Sequence, residues 1–294
     1  MAKTQIKRRA GDRRDGRLIR SLPGFNKFMP FIMPERSDAC NMYTDAVEIT
    51  EADRWLRRAR VEGYKGLGFL HVIIAAYIRC IALLPGLNRF INGRHVYARY
   101  DIQVVLTVKR SLDLNATETT IKVHFDPSDT IFDVYRKMNR QIEEIKSSED
   151  DNNTEKIANV MTKIPRLIFR FAIWFLRVLD YFGWLPASIV EASPFHGSMI
   201  ITDMGSLGIK PIYHHIYNFG NLPVFIAFGA KRKVYELNRR GEIEENKYLD
   251  MKAVLDERTV DGHYYATVLK YLKYYIAHPE LLAVPPEKVN EDIF

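Results

Sequence analysis

The chain has 294 residues, 47% of them hydrophobic and 27% charged, a globular composition long enough for one large domain or two small ones. Its formal net charge of +7 is concentrated at the start, where residues 1–20 carry eight Lys or Arg against Asp12 and Asp15; the basic character belongs to an N-terminal arm, which excludes a basic fold. Two cysteines, Cys40 and Cys80, make neither a disulfide framework nor a zinc cluster, so the expected compartment is cytoplasmic.

No nucleic-acid module accompanies the arm, so residues 1–20 are expected to be a solvated or subunit-wrapping segment with no nucleic-acid partner. They also lack the apolar core of a secretory signal. Residues 21–37 carry three prolines and predict an extended loop. Residues 42–50 alternate weakly as a strand, and Thr50 is placed to cap a helix over 51–60 whose first turn holds Glu51 and Asp53. Residues 66–84 are apolar nearly all round, which predicts a buried helix ended by Pro85-Gly86-Leu87-Asn88; His71 within it reads as a core histidine. Residues 97–109 and 119–125 are rich in β-branched side chains and predict strands. Ser128 or Asp129 then opens an amphipathic helix with the stripe Ile131, Val134, Tyr135, Met138, Ile142 and Ile145, followed by a polar loop over 147–155.

A second helical region spans 156–185, with Pro165 as an expected kink. From 166 onward Arg166, Arg170, Arg177 and Asp180 fall within about 80° of one another at 100° per residue, and the rest is apolar. Segments 66–84 and 166–185 approach the ~20 apolar residues of a membrane span, but Arg79 interrupts the first and Arg170, Arg177 and Asp180 the second. Strand patterns return at 198–202, 222–228 and 247–255, where Leu249, Met251, Ala253 and Leu255 share a face. The closing helix begins near Asp261 with the stripe Tyr265, Val268, Leu269, Leu272 and Ile276. Helices before and between strands predict an α/β or α+β fold with a mixed sheet.

Two stretches concentrate chemistry. In Leu255-Asp256-Glu257-Arg258-Thr259-Val260-Asp261-Gly262 four of eight residues are charged at a strand–helix junction. Asp261 stands where a helix cap belongs, Arg258 can pair with either acid, and His263 can line the same junction as Glu257. In Ser198-Met199-Ile200-Ile201-Thr202-Asp203-Met204-Gly205 a strand runs into a turn punctuated by Gly205 and Gly208, without a dinucleotide or P-loop fingerprint. His214 and His215 are adjacent and have no third ligand at metal spacing, so no metal is expected.

In order along the chain, PGLN (85–88), SMIITDMGSLGI (198–209), LPVFIAFG (222–229), LDERTVDGHYYA (255–266) and HPELL (278–282) resemble the catalytic domain of the dihydrolipoamide acyltransferases of 2-oxoacid dehydrogenase complexes. That fold is shared with chloramphenicol acetyltransferase. The resemblance implies a homotrimer with active sites at subunit interfaces. In that family the histidine of D-H-R-x-x-D-G takes a proton from a thiol of coenzyme A or dihydrolipoamide, and a hydroxyl on the F-T-I-S strand stabilises the tetrahedral oxyanion. By motif the hydroxyl is that of Thr202, and the aspartate holding the local structure is Asp261. In the antibiotic-acetylating branch an N-terminal arginine pairs with that aspartate, a place that Arg20 takes here by position.

Three departures shape the expectation. Glu257 stands at the histidine position. An ordinary glutamic acid titrates near ~4.3 and a thiol near ~8.5, so a Glu base requires a tuned site, or else His263 or a histidine of 214–215 substitutes. Neither a lipoyl nor a subunit-binding domain is expected ahead of the catalytic region, and so no attached lipoyl group is expected. An apolar helical insertion at 156–190 exceeds the family's corresponding segment. The expected function is a free-standing CoA- or thiol-dependent acyltransferase. The alternative is a catalytically inactive trimeric scaffold, or a CoA- or partner-binding protein, that kept the fold. Helix 166–185 is expected to pack in the fold or trimer in preference to a peripheral membrane contact.

Overall fold

Apolar alternation along six strands builds the central sheet of the protein, described by a computed structural model over residues 8–109, 118–147 and 164–294. In chain order the elements are β1 (Gly16–Leu18), α1 (Gly24–Ile32), β2 (Cys40–Glu48), α2 (Thr50–Val61), α3 (Phe69–Leu83), β3 (Arg89–Asn92), β4 (His95–Arg99), β5 (Ile102–Lys109) and β6 (Glu118–Phe125). They continue with α4 (Ile131–Ser147), α5 (Arg166–Tyr181), α6 (Ala187–Ala192), β7 (Met199–Asp203), β8 (Val224–Leu237), β9 (Ile243–Asp256) and α7 (Gly262–Ala277). The large sheet has the order β2-β9-β8-β7-β5-β6, and a small one the order β1-β4-β3. β7 runs parallel to both β5 and β8, and the other pairs of the large sheet are antiparallel. This is the mixed α/β architecture expected from the sequence.

Because side chains alternate across a strand, each strand feeds two layers. Val104, Leu106, Met199, Ile201, Ile226, Leu249, Met251, Ala253 and Leu255 join one core with α3 and the stripe of α7, while Val105, Ile200, Phe225 and Val254 face the other side with Ile216 and Leu222. α3 is the central helix: every residue from His71 to Ala82 is buried, each large apolar side chain contributing about 1.5–3 kcal/mol. Arg79 escapes by reaching the carbonyls of Leu281 (3.1 Å) and Val284. His71 accepts from the Gly68 N–H (3.1 Å), and burial pushes its imidazole down to about 4.

Several local expectations are corrected. The proline-rich stretch 21–37 contains helix α1, with Pro23 just before it and Pro30 inside it. Thr50 does not cap α2; its hydroxyl accepts from the Lys247 N–H (2.9 Å). Asp53, expected to serve the helix dipole, is buried and meets Arg57 on its own helix (2.8 Å) and Lys231 (2.7 Å) and Lys247 (2.7 Å), the two lysines tying α2 to β8 and β9. Those cations outweigh burial and hold its carboxyl well below the usual range. The cap of α4 is Thr130, which exchanges hydrogen bonds with Asp133, and neither Ser128 nor Asp129. Pro165 precedes α5 and makes no kink within it. The Ile145 side chain, nearly all of the 147–155 loop and the helical expectation for 156–163 lie outside the described residues. The expected arm is built into the fold over 12–20: β1 pairs with β4, and the Leu18 N–H is held by Asp12 (3.1 Å).

α5 is rooted at its C-terminal end alone. Asp180 is buried, accepts from Asn92 Nδ2 (3.0 Å), and lies 3.4 Å from Arg13 Nη2 and 3.3 Å from His196 Nε2. Burial alone would push this carboxyl up, but those partners hold it below its ordinary value. Gly183, at φ 73°, ends the helix in the left-handed conformation that glycine favours. No helix among the described residues is long and apolar enough to cross a membrane.

α6 is clasped to the sheet. His124 on β6 bridges Asp101 (2.8 Å) and Glu191 (2.7 Å), and Lys122 Nζ donates to the Val190 carbonyl (2.7 Å). Hydrogen bonds to Asp101 and Glu191 raise His124 above its ordinary 6.5 against the effect of burial. A raised folded value means that the clasp is complete below about pH 6.5 and is lost as pH climbs through the folded value. Proteolytic cleavage within 164–192 should therefore accelerate as pH rises from about 6.5 through the folded value of His124. Burial also pushes Lys122 down to about 8, so His124→Gln isolates the histidine's share. A pH dependence unchanged in that variant would eliminate the clasp.

Candidate functional site

β9 ends where its pairing with β2 ends, at Cys40↔Asp256, and the chain turns within a few residues into α7. The turn is held by one buried carboxylate. Asp256 receives Arg258 in bidentate fashion (Nε 2.8 Å, Nη2 2.7 Å), and Arg36 Nε lies 3.6 Å away. Arg258 also donates to the carbonyls of Met33 (3.1 Å) and Pro34 (3.3 Å), and Arg36 to those of Tyr217 (2.6 Å) and Gly220. Burial pushes the Arg36 guanidinium down to about 10, against the pull of Asp256. The Asp256 carbonyl accepts from the hydroxyls of Thr259 (2.8 Å) and Tyr265 (2.9 Å). Three charges taken out of water are tolerable only when their polar atoms are matched in this way.

Glu257 rises from this fixed turn. Its N–H bonds the Ala39 carbonyl (3.0 Å), its side chain is half-buried, and its Oε2 accepts from Asn41 Nδ2 (2.7 Å). Asn41 also lines a groove of about 650 Å³, with Tyr43, Gly262, Leu269, Lys270 and Lys273 among its other walls. That volume is in the range of small-ligand sites.

The other sequence-predicted residues separate. Arg258 pairs with Asp256, not with Asp261. Asp261 caps α7 through the Tyr264 N–H (2.8 Å), and His263 is exposed on the first turn of that helix. Arg20, expected opposite Asp261, bonds Asp12 (3.2 Å) and the Ala10 and Leu18 carbonyls instead. His214 stacks on Phe225 at 4.4 Å and burial lowers it; His215 lies edge-on to Tyr217. No group of three or more His, Cys, Asp or Glu among the described residues is placed to hold a metal.

Thr202 lies near the end of β7, half-buried, with its hydroxyl 3.8 Å from Met204 Sδ. Register fixes its distance from Glu257. Thr202 is level with Ala227, and Ala227 with Lys252. Glu257 is five residues beyond Lys252, roughly 17 Å along the strand direction at ~3.4 Å per residue, and two strands away. One chain therefore does not bring the carboxylate and the hydroxyl together.

Sequence reasoning passed over Arg36, Asn41 and Tyr265 as parts of the site. Arg36 and Asn41 carry no local signal, because the partners that place them at the site, from Tyr217 to Glu257, are more than 180 positions away. Tyr265 fits the apolar stripe by spacing, although its hydroxyl is what ties it to the turn, through the Asp256 carbonyl. A larger cavity, about 760 Å³, lies at the root of α5 beside Arg13, Gln103 and His124, and none of the residues expected to be catalytic lines it.

The fold is that of dihydrolipoamide acetyltransferase catalytic cores. The chain is similar to a probable dihydrolipoamide acetyltransferase from Listeria monocytogenes, with TM-score 0.55, 14% identity, and 93% of this chain and 97% of that one covered. It is similar to the cubic core of a pyruvate dehydrogenase multienzyme complex, with TM-score 0.56, 11% identity, and 90% and 94% covered. It is also similar to the dihydrolipoamide acetyltransferase of Azotobacter vinelandii, studied for the role of a serine, a histidine and an asparagine in its catalytic mechanism (TM-score 0.55, 12% identity, 90% and 94% covered). No family model matches the sequence, and no curated protein matches it.

Replacing Asp256 by Asn leaves Arg36 and Arg258 buried without a counter-charge. The expected cost is about 3–5 kcal/mol, read as a lower urea midpoint with an unchanged slope. A loss below about 1 kcal/mol would mean that the arginines find water and that the turn does not depend on this carboxylate.

Proposed function

We propose that the protein is a thiol-dependent acyltransferase whose site is completed by a second copy, Glu257 coming from one protomer and Thr202 from its neighbour in a homotrimer. The observation that carries this reading is the pairing of a rigidly mounted, half-exposed carboxylate with a motif hydroxyl that its own chain holds roughly 17 Å away along the strand direction and two strands across. The likeness to acetyltransferase cores supports the reaction class, and that to a cubic multienzyme core supports assembly of copies.

The chemistry is acyl exchange between thiols. Glu257 accepts the proton of the attacking thiol, and the thiolate sulfur bonds the acyl carbon of a thioester. The Thr202 O–H of the neighbouring protomer donates to the oxyanion that forms. Collapse breaks the original C–S bond, and the departing thiolate recovers the proton from the Glu257 carboxyl group. Asn41 orients the carboxylate, and the turn built on Asp256 fixes the backbone beneath it. Coenzyme A is the proposed carrier: the groove beside Asn41 offers apolar wall at Leu255 and Leu269 and a cation at Lys270.

Glu257→Gln should lower thioester turnover by about 10²–10⁴-fold and Thr202→Val by about 10²–10³-fold, with far-UV circular dichroism unchanged. Wild-type rates in both variants would remove the two residues from the mechanism.

A second reading, a core that keeps the fold without the reaction, is favoured by one observation. Among the described residues the only side-chain hydrogen bond to Glu257 comes from the Asn41 amide, which relays no proton. That reading predicts no thioester turnover by the wild-type chain, and its appearance in Glu257→His.

A further inference from the structure

Helix α5 leaves the body of the protein with its apolar surface uncovered. Leu167 is 80% exposed, Phe171 61% and Trp174 55%, and beyond the helix end Trp184 is 67% exposed. Contiguous apolar area of this kind marks an interaction surface. Helix α1 does the same with Phe25, Phe28 and Phe31.

The two helices meet at one turn. Between β3 and β4, Arg94 stands 5.5 Å over the Phe31 ring at the end of α1. The neighbouring Gly93 packs so closely that a Cβ there would fall 2.6 Å from the Tyr181 carbonyl oxygen at the end of α5. Arg94 and Arg177 line a common cleft at this junction, in which Glu35 is the exposed acid.

Charge identifies the occupant. The exposed charges of α5 are Arg166, Arg170 and Arg177, all positive, and its one acid, Asp180, is buried and paired. The only charge on α1 is Lys27. A narrow arginine stripe beside a wide apolar surface carrying tryptophan and tyrosine suits the boundary between lipid headgroups and acyl chains. Arginine stems lie along apolar surface while their heads reach phosphate, and Trp and Tyr sit at headgroup level. An apolar groove on another protein would match the aromatic residues but would leave the all-positive stripe unexplained.

We propose that α5 and α1 form a docking face for the surface of an anionic phospholipid bilayer. The helix lies in the interface and does not span it: its sixteen residues reach about 24 Å, short of the ~30 Å hydrocarbon core. This holds whether or not the protein transfers acyl groups.

The test is sedimentation of the full chain with vesicles of phosphatidylcholine alone or mixed with phosphatidylglycerol, at low and high salt. Binding should require the anionic lipid, weaken with salt, and bring a blue shift of tryptophan emission. Reversing charge in Arg166→Glu/Arg170→Glu/Arg177→Glu should weaken partitioning at least roughly tenfold at low salt. Phe171→Ser/Trp174→Ser/Phe175→Ser should abolish it, and since these side chains are exposed the variant retains its circular dichroism. Failure of the folded wild-type chain to sediment with anionic vesicles at low salt would overturn the proposal. So would a serine variant that binds vesicles like wild type, or one that changes oligomeric size while vesicle binding is retained, which would make a second copy the occupant.

Discussion

A single carboxylate, Asp256, organises the junction between the last strand and the last helix. It neutralises Arg36 and Arg258 where neither can reach bulk water, and each arginine in turn ties down carbonyls of distant segments: Met33 and Pro34 from one, Tyr217 and Gly220 from the other. The segment before β2, the segment before β8 and the end of β9 are thereby locked to one point. Glu257, the next residue, inherits a backbone that cannot drift while its side chain stays at the surface. A group meant to meet a substrate, or a neighbouring protomer, is well placed on such a support, since positioning errors of about 1 Å are costly in catalysis.

The second buried polar centre does the same for a different surface. Asp180, with Arg13, Asn92 and His196, anchors one end of α5, and Gly93 allows the β3–β4 turn to approach it. Everything N-terminal of that anchor on α5 projects from the body. The molecule therefore presents two separate constructions: a charged junction at the end of the large sheet, and an apolar, arginine-edged projection rooted through the small sheet. Each joins a buried, paired carboxylate to an exposed end.

The sequence disclosed those elements whose cause is local. Periodicity placed α3, α4 and the stripe of α7 correctly, and alternation placed the inner face of β9, because burial follows spacing within one element. The mixed α/β fold and its likeness to acetyltransferase cores were legible from the ordered motif set. What escaped depended on partners far along the chain. Asp53 looked like a helix-dipole residue because Lys231 and Lys247 are 178 and 194 positions away. Arg20 was assigned to Asp261 by position, while nearby Asp12 takes it. β3 has four residues, and its polar ends are stabilised by Asp292 and Asp180, which no window over 89–92 contains. α1 hid behind its prolines, since Pro23 precedes the helix and the loss of one donor at Pro30 did not stop it.

A functional site split between two copies of this chain is tested most directly by subunit complementation. Glu257→Gln chains still carry Thr202, and Thr202→Val chains still carry Glu257. Co-expressed in one cell, the two should assemble mixed oligomers in which some interfaces hold both native residues, so thioester turnover should rise well above that of either variant alone, to a measurable fraction of wild type. If the mixed oligomers form and remain as inactive as either variant alone, the two residues do not meet across an interface and the account is wrong.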